Sequence, residues 1–148
     1  MHLAANMLTF YSFAPRLMEG RSSAAHPLLS PGEFLALWTA SGVLSSLASS
    51  VFHARLRSYT PSLGASGSLF AVVAYFCMSH PGAGLLILFV LPLSAGSGLA
   101  LATAGNLYLV ARAVAAARAR APTPGIDGMA HLAGTAVGAA WWAKRSAE

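Results

Sequence analysis

The chain reads as an all-α, polytopic bundle of transmembrane helices, and three features of the sequence predict it. Hydrophobic residues make up 56% of the 148 residues and charged ones only 9%, against about 25% charged in an average soluble domain. Apolar stretches near the length that spans a bilayer, about 20 residues, recur along the whole chain. Between them lie short connectors rich in Ser, Pro and Arg, which interrupt helices and suit a membrane surface. A soluble fold of this size does not cover its surface with so few charges, so the chain is read as one integral membrane domain.

The same numbers narrow the partners. Nine Lys and Arg against four Asp and Glu give a net charge of +5. The basic residues are scattered, and no aromatic-and-basic platform accompanies them. That argues against nucleic acid and for anchoring beside a lipid bilayer. Cys77 is the single cysteine, so no intramolecular disulfide forms, and its apolar setting marks a packing residue. Neither Cys77 nor the five histidines show ligand spacing, so no metal and no organic cofactor is expected. A histidine inside a membrane segment, however, is costly and is a functional candidate by default.

Five helices are expected in order. The first covers residues 1–19. Met1 and His2 lead straight into apolar sequence, with neither the basic start nor the cleavage site of a signal peptide. This start predicts either a naturally short protein or one whose N-terminal part is missing. "RSSAAHPLLSPG" then reads as an exposed loop, and the second helix spans 31–54, with Pro31 suited to a first turn. In the next connector Pro61 blocks helix continuation. The third helix runs from Ser66 to His80, where Pro81 and Gly82 stop it. At about fifteen residues it is too short to cross a bilayer. Its N-terminus therefore sits at mid-depth, which is tolerated only where it lines a protein cavity. "LLILFVLPL" is an apolar run broken by Pro92, followed by a fourth helix over 95–117. After the basic loop "RARAPTPGID", Asp127 is placed to cap a last helix over 128–145. Five crossings put Arg16, Arg21, Lys144 and Arg145 on one side and Arg55, Arg57, Arg112, Arg118 and Arg120 on the other. That balance sets no orientation.

Crossing parity groups the polar candidates. The first, third and last helices begin on the same side. His2 with Asn6, then Ser66, then His131 stand at those three starts. His2 and Asn6, four apart, point into one groove. Ala130, Gly134 and Gly138 form a small-residue stripe on the last helix, and Gly67, Ala71 and Ala74 a comparable one on the third. Such stripes let backbones approach closely. Packing the two together brings His131 towards Ser66, the arrangement of a serine nucleophile with its base. The backbone N–H of Ser66 at a helix start, with the side chains of Asn6 and His2, would then serve as oxyanion donors.

Each residue also has a plainer reading. Gly-x-Ser-Gly is a weak motif, and a membrane serine is commonly a packing residue. It is not the elbow of soluble hydrolases, since Ser68 stands where that motif has its last glycine. His131 reads equally as a hydrogen-bonded bundle histidine, and Asn6 as interhelical glue. His26, His53 and His80 read as interfacial. Asp127, four residues before His131, reads as a helix cap rather than a third catalytic group. Tyr11, Tyr59, Tyr75, Trp38, Trp141 and Trp142 read as packing or interface residues.

Three segments carry a family resemblance in order at helix starts: "HLAANM", "PSLGASGSLF" and "DGMAHLAGTAVG". Together they resemble the rhomboid intramembrane serine proteases. The agreement around "SPGEFLALWTASGVLSS" and "YTPSLGASG" is closest to the mitochondrial, presenilin-associated rhomboid-like branch, and it covers nearly the whole chain. The resemblance implies a rhomboid peptidase domain over 1–148 in a mitochondrial membrane, most simply the inner one. It implies a serine endopeptidase that cleaves transmembrane protein substrates in or near their spans by a dyad without a carboxylate. Ser66 would be the nucleophile and His131 the base and later acid. His2 and Asn6 match the oxyanion-side motif, and Gly64 and Gly67 the glycines that shape the serine loop. The chain departs from that pattern at its start. The family's first helix, and the membrane-embedded loop after it, precede "HLAAN", so the resemblance implies an N-terminally incomplete domain. The basic loop at 112–126 is also longer than expected.

Two other functions remain open on the residues. A catalytically inactive rhomboid-like protein would bind transmembrane clients with Ser66 and His131 beyond hydrogen-bond reach. A small helical transporter subunit would need a continuous polar path, whereas the polar residues gather at one end of alternate helices.

Overall fold

The computed structural model describes residues 2–19, 29–58, 65–87, 91–123 and 125–148. The elements are α1 (His2–Glu19), α2 (Pro31–Leu56), α3 (Ser66–Ser79), β1 (Gly84–Ile87), β2 (Leu91–Ser94), α4 (Ala95–Arg118) and α5 (Gly128–Ser146). All five helices fall within two residues of their expected spans.

Local chemistry sets the helix ends. Ser30 opens α2 with a capping box. Its hydroxyl accepts from the Glu33 N–H at 3.3 Å, while the Glu33 carboxylate accepts from the Ser30 N–H at 2.8 Å. Ser94 caps α4 through the Ser97 N–H. Asp127 caps α5, its Oδ1 accepting from the Ala130 N–H at 3.0 Å, as the sequence predicts. The expected loop over 112–126 is shorter than it reads, because Arg112 and Arg118 lie on α4. The described residues of the apolar run before α4 form strands rather than helix. β1 and β2 pair antiparallel, with Leu85 opposite Leu93 and Leu86 opposite Pro92. Pro92 has no N–H to give a ladder, and a two-stranded ribbon tolerates it because each strand has a free edge.

The bundle is polar inside and apolar outside along α2. Ser41, Ser45, Ser49 and His53 recur every four residues and are buried, whereas Val43, Leu44, Leu47 and Val51 are exposed. That inversion is what lipid, rather than water, selects. By length and composition, α2 and α4 suffice to cross a membrane, each with mean hydropathy 1.4, and α3 is a shorter apolar helix. The apolar core lies between α1, α2 and α3, around Ala14, Leu17, Phe34, Leu37, Val72 and Tyr75. Phe13 meets Phe76 edge to face, and Phe10 meets Trp38 likewise. Cys77 is buried at 1% exposure, the packing role expected for it. At the far end, Arg145 pairs with Glu33 at 3.1 Å and ties the end of α5 to the start of α2.

Candidate active site

Glycine decides how α3 and α5 meet. A Cβ on Gly134 would overlap the Gly67 carbonyl, and one on Gly138 would overlap the Ala71 carbonyl. So α3 and α5 run parallel with backbones in contact along the two small-residue stripes. On its other side α3 abuts α2: a Cβ on Gly67 would strike the Ser45 side chain. Gly67 thus sits opposite the middle of α2, which continues for another eleven residues to Leu56, about 16 Å at 1.5 Å per residue. The N-terminus of α3 is therefore recessed relative to the end of α2.

Ser66 is the first residue of α3 and is half-buried. The contrast with nearby serines is informative. Ser68 is buried and donates to the Trp38 carbonyl at 2.8 Å. Ser41 donates to Leu37 at 2.6 Å and Ser45 to Gly42 at 3.2 Å. Those hydroxyls are packing groups satisfied by backbone. Ser66 makes no such bond among the described residues. Its helix also differs from its neighbours. Of α2 to α5, α3 alone begins without a side-chain cap, because Ala65 has no acceptor to offer. Its first-turn N–H groups, at the positive end of the helix dipole, are left for another acceptor.

His131 lies in the first turn of α5 beside Ala130, whose carbonyl is 3.5 Å from a Cβ built on Gly67. Its ring stacks on Phe70, one turn along from Ser66, with centroids 4.2 Å apart and planes 17° from parallel. Nδ1 meets Asn106 Oδ1 of α4 at 2.9 Å. Among the described residues no hydrogen bond joins Ser66 to His131. The structure therefore brings these two residues to one end of a touching helix pair, with His131 held by Phe70 and Asn106.

The remaining candidates stand as follows. Gly67 is at the α2–α3–α5 contact. Asn6 lies in the second turn of α1, half-buried. His2 begins α1, but its side chain falls outside the described residues, as do Gly64, Pro61, His26 and Tyr59. His53, near the end of α2, faces into the bundle. It is buried at 9% exposure, with Nδ1 at 3.0 Å from Ser58 Oγ and Nε2 at 3.6 Å from Asp127 Oδ1. Asp127 also accepts a hydrogen bond from Ser49. The cap of α5 is thus anchored to α2, a link the sequence reading missed because it treated Asp127 as a local cap only. Asn106 and Phe70 were missed too. The signal for Asn106 was available: it is a carboxamide in the middle of an apolar helix, where a polar group must find a partner. A separate cavity of about 480 Å³ lies between the ends of α2 and α4, lined by Arg57, Ser58, Arg120 and Thr123 among others. Neither Ser66 nor His131 lines it.

Comparison with known proteins gives these observations a setting. The Rhomboid domain profile matches residues 1–147. The zebrafish (Danio rerio) presenilin-associated rhomboid-like protein A, mitochondrial, is 38% identical over 101 residues, covering 67% of this chain and 24% of the relative. Its mouse (Mus musculus) counterpart is 36% identical over 112 residues, 72% of this chain and 28% of the relative. Rhomboid protein 1, mitochondrial, of Saccharomyces cerevisiae is 34% identical over 151 residues, 99% of this chain and 39% of the relative. The chain thus spans well under half the length of these relatives. No solved structure matches. With its helical bundle, its outward-facing apolar helices and a profile match over almost its entire length, the chain belongs to the rhomboid family of integral membrane proteins.

Proposed function

We propose that the protein is an intramembrane serine endopeptidase that cleaves peptide bonds in or near the transmembrane segments of membrane proteins, with Ser66 and His131 as its dyad. The observation that carries this reading is the parallel contact of α3 and α5. It sets the His131 ring on Phe70, one turn from a serine that opens an uncapped helix. Ser66 Oγ adds to the scissile carbonyl carbon while its proton passes to His131. The tetrahedral oxyanion is met by first-turn N–H groups of α3, where the dipole favours negative charge. Asn6 and His2 are proposed as further donors, and Gly64 with Gly67 as the glycines shaping the serine's approach. His131 then gives the proton to the leaving amine nitrogen, releasing one product and leaving an acyl-serine. Water, deprotonated by His131, hydrolyses that ester and regenerates the hydroxyl. Hydrolysis needs water at Ser66, and the recess of α3 below the end of α2 is the place we assign to it. The names of its relatives support a mitochondrial membrane, and we assign the inner one.

A second reading, a family member that holds transmembrane clients without cutting them, is favoured by one observation: no Ser66–His131 hydrogen bond is present among the described residues. Catalytic hydrogen bonds often tighten only when substrate binds, so this does not displace the first reading. The test is cleavage of single-span substrates co-reconstituted with the full-length protein in liposomes, with fragments mapped by mass spectrometry. Cuts within or beside the span that vanish in Ser66→Ala support the protease. Retained client binding without cuts supports the binder.

A further inference from the structure

We infer that Asn106 is the positioning residue of His131, holding the imidazole in the tautomer whose Nε2 receives the serine proton. The inference rests on the proposed Ser66–His131 dyad and adds a third member on α4. It follows from a short chain of hydrogen bonds with fixed polarity. The Asn106 amide nitrogen lies 2.9 Å from the Ala102 carbonyl. A carbonyl only accepts, so the NH2 end of the amide must face Ala102 and the oxygen must face away. That oxygen lies 2.9 Å from His131 Nδ1. It too only accepts, so Nδ1 of the neutral ring carries the proton, and Nε2 keeps the lone pair.

Three further features show that the pair is built rather than incidental. Asn106 is buried at 5% exposure in a predominantly apolar helix. Its backbone carbonyl would be struck by a Cβ on Gly128, so the start of α5 is fitted against this turn of α4. The ring is clamped on its face by Phe70, and the Asn106 hydrogen bond at Nδ1 restrains rotation within the ring plane. Both constraints act on the one residue that needs a defined ring orientation in proton transfer. During acylation Nε2 accepts the Oγ proton, and Asn106 Oδ1 accepts a stronger hydrogen bond from the charged ring. Because Asn cannot ionise, this third group orients the base without placing a carboxylate beside it.

The direct test needs no variant. In the full-length protein with 15N-labelled histidine, the neutral His131 ring, assigned by difference against His131→Gln, is expected to be protonated at Nδ1. A ring protonated at Nε2 overturns the proposal. In Asn106→Leu the Nδ1-protonated population is expected to fall. Cleavage kcat drops about 10- to 100-fold with KM within about threefold. Asn106→Asp, which keeps an acceptor, recovers at least a tenth of wild-type kcat. Unchanged kcat in Asn106→Leu overturns the proposal even if the ring stays ordered. Failure of the dyad itself reads differently: Ser66→Ala would still be labelled by a fluorophosphonate, while the tautomer of His131 would be unaffected.

Discussion

Gly134 of α5 lies against the backbone carbonyl of Gly67 of α3, with no room for a single methyl group between them. This contact sets the distance between the helix that begins with Ser66 and the helix that carries His131. Gly134→Ala should destabilise the bundle by about 1–3 kcal/mol, the usual result of overpacking, and should abolish serine reactivity. Gly105→Ala is the control. Gly105 meets nothing within 4 Å of a built Cβ, and alanine in mid-helix is expected to be neutral or stabilising by about 0.5–1 kcal/mol. Thermal unfolding in detergent, followed by circular dichroism, distinguishes the two.

Asp127 separates a structural carboxylate from a catalytic one. It caps α5 through Ala130 and binds Ser49 and His53 on α2. Among the described residues it meets His131 through the helical backbone bond from the His131 N–H to the Asp127 carbonyl, at 3.3 Å. Asp127→Ala should lower stability by about 1–2 kcal/mol, the loss of a good cap. Asp127→Asn keeps an acceptor at the cap and should label at Ser66 within about threefold of wild type. A fall of 100-fold or more in the Asn variant, with stability intact, would make Asp127 part of the chemistry.

The sequence was most legible where spacing alone carries the information. Small residues four apart on α3 and α5 announced the parallel contact, and they meet as expected at Gly67–Gly134 and Ala71–Gly138. Apolar length and Pro or Ser at the boundaries gave helix ends to within two residues. The antiparallel pairing of β1 with β2 was not legible, because an unbroken apolar run has no period to separate strand from buried helix. Phe70 and Asn106 escaped for a different reason. An aromatic at the start of an apolar helix reads as core, and the Asn106–His131 pair depends on how α4 is rotated against α5. That rotation is fixed by Gly128 fitting against Asn106 and Leu109, two elements away from any local pattern. The burial of His53 against Asp127 was not legible, because that partner is 74 positions along the chain.

Phe70 should matter to rate more than to fold if its ring holds His131. Phe70→Tyr preserves the stacked face and should retain at least half of wild-type activity. Phe70→Leu keeps apolar volume but removes the stack, and should lower kcat about 3- to 10-fold, on the order of 1 kcal/mol, in line with a lost ring–ring contact. Steady-state cleavage of a transmembrane substrate, with expression and unfolding temperature matched, reads the difference.

Glu33 and Arg145 join the end remote from Ser66. The pair is about 30% exposed on each side, so Arg145→Gln should lower stability by less than about 1 kcal/mol. Glu33→Ala should cost more, because it also removes the capping box at Ser30. Neither substitution should alter serine reactivity, which denaturation and labelling of the same preparations would establish.

The most direct measurement is covalent labelling of the full-length protein by an active-site-directed fluorophosphonate, comparing wild type with Ser66→Ala, Ser68→Ala and His131→Ala. The account predicts labelling of wild type and Ser68→Ala at Ser66, and none of Ser66→Ala or His131→Ala. Equal labelling of wild type and Ser66→Ala would contradict it.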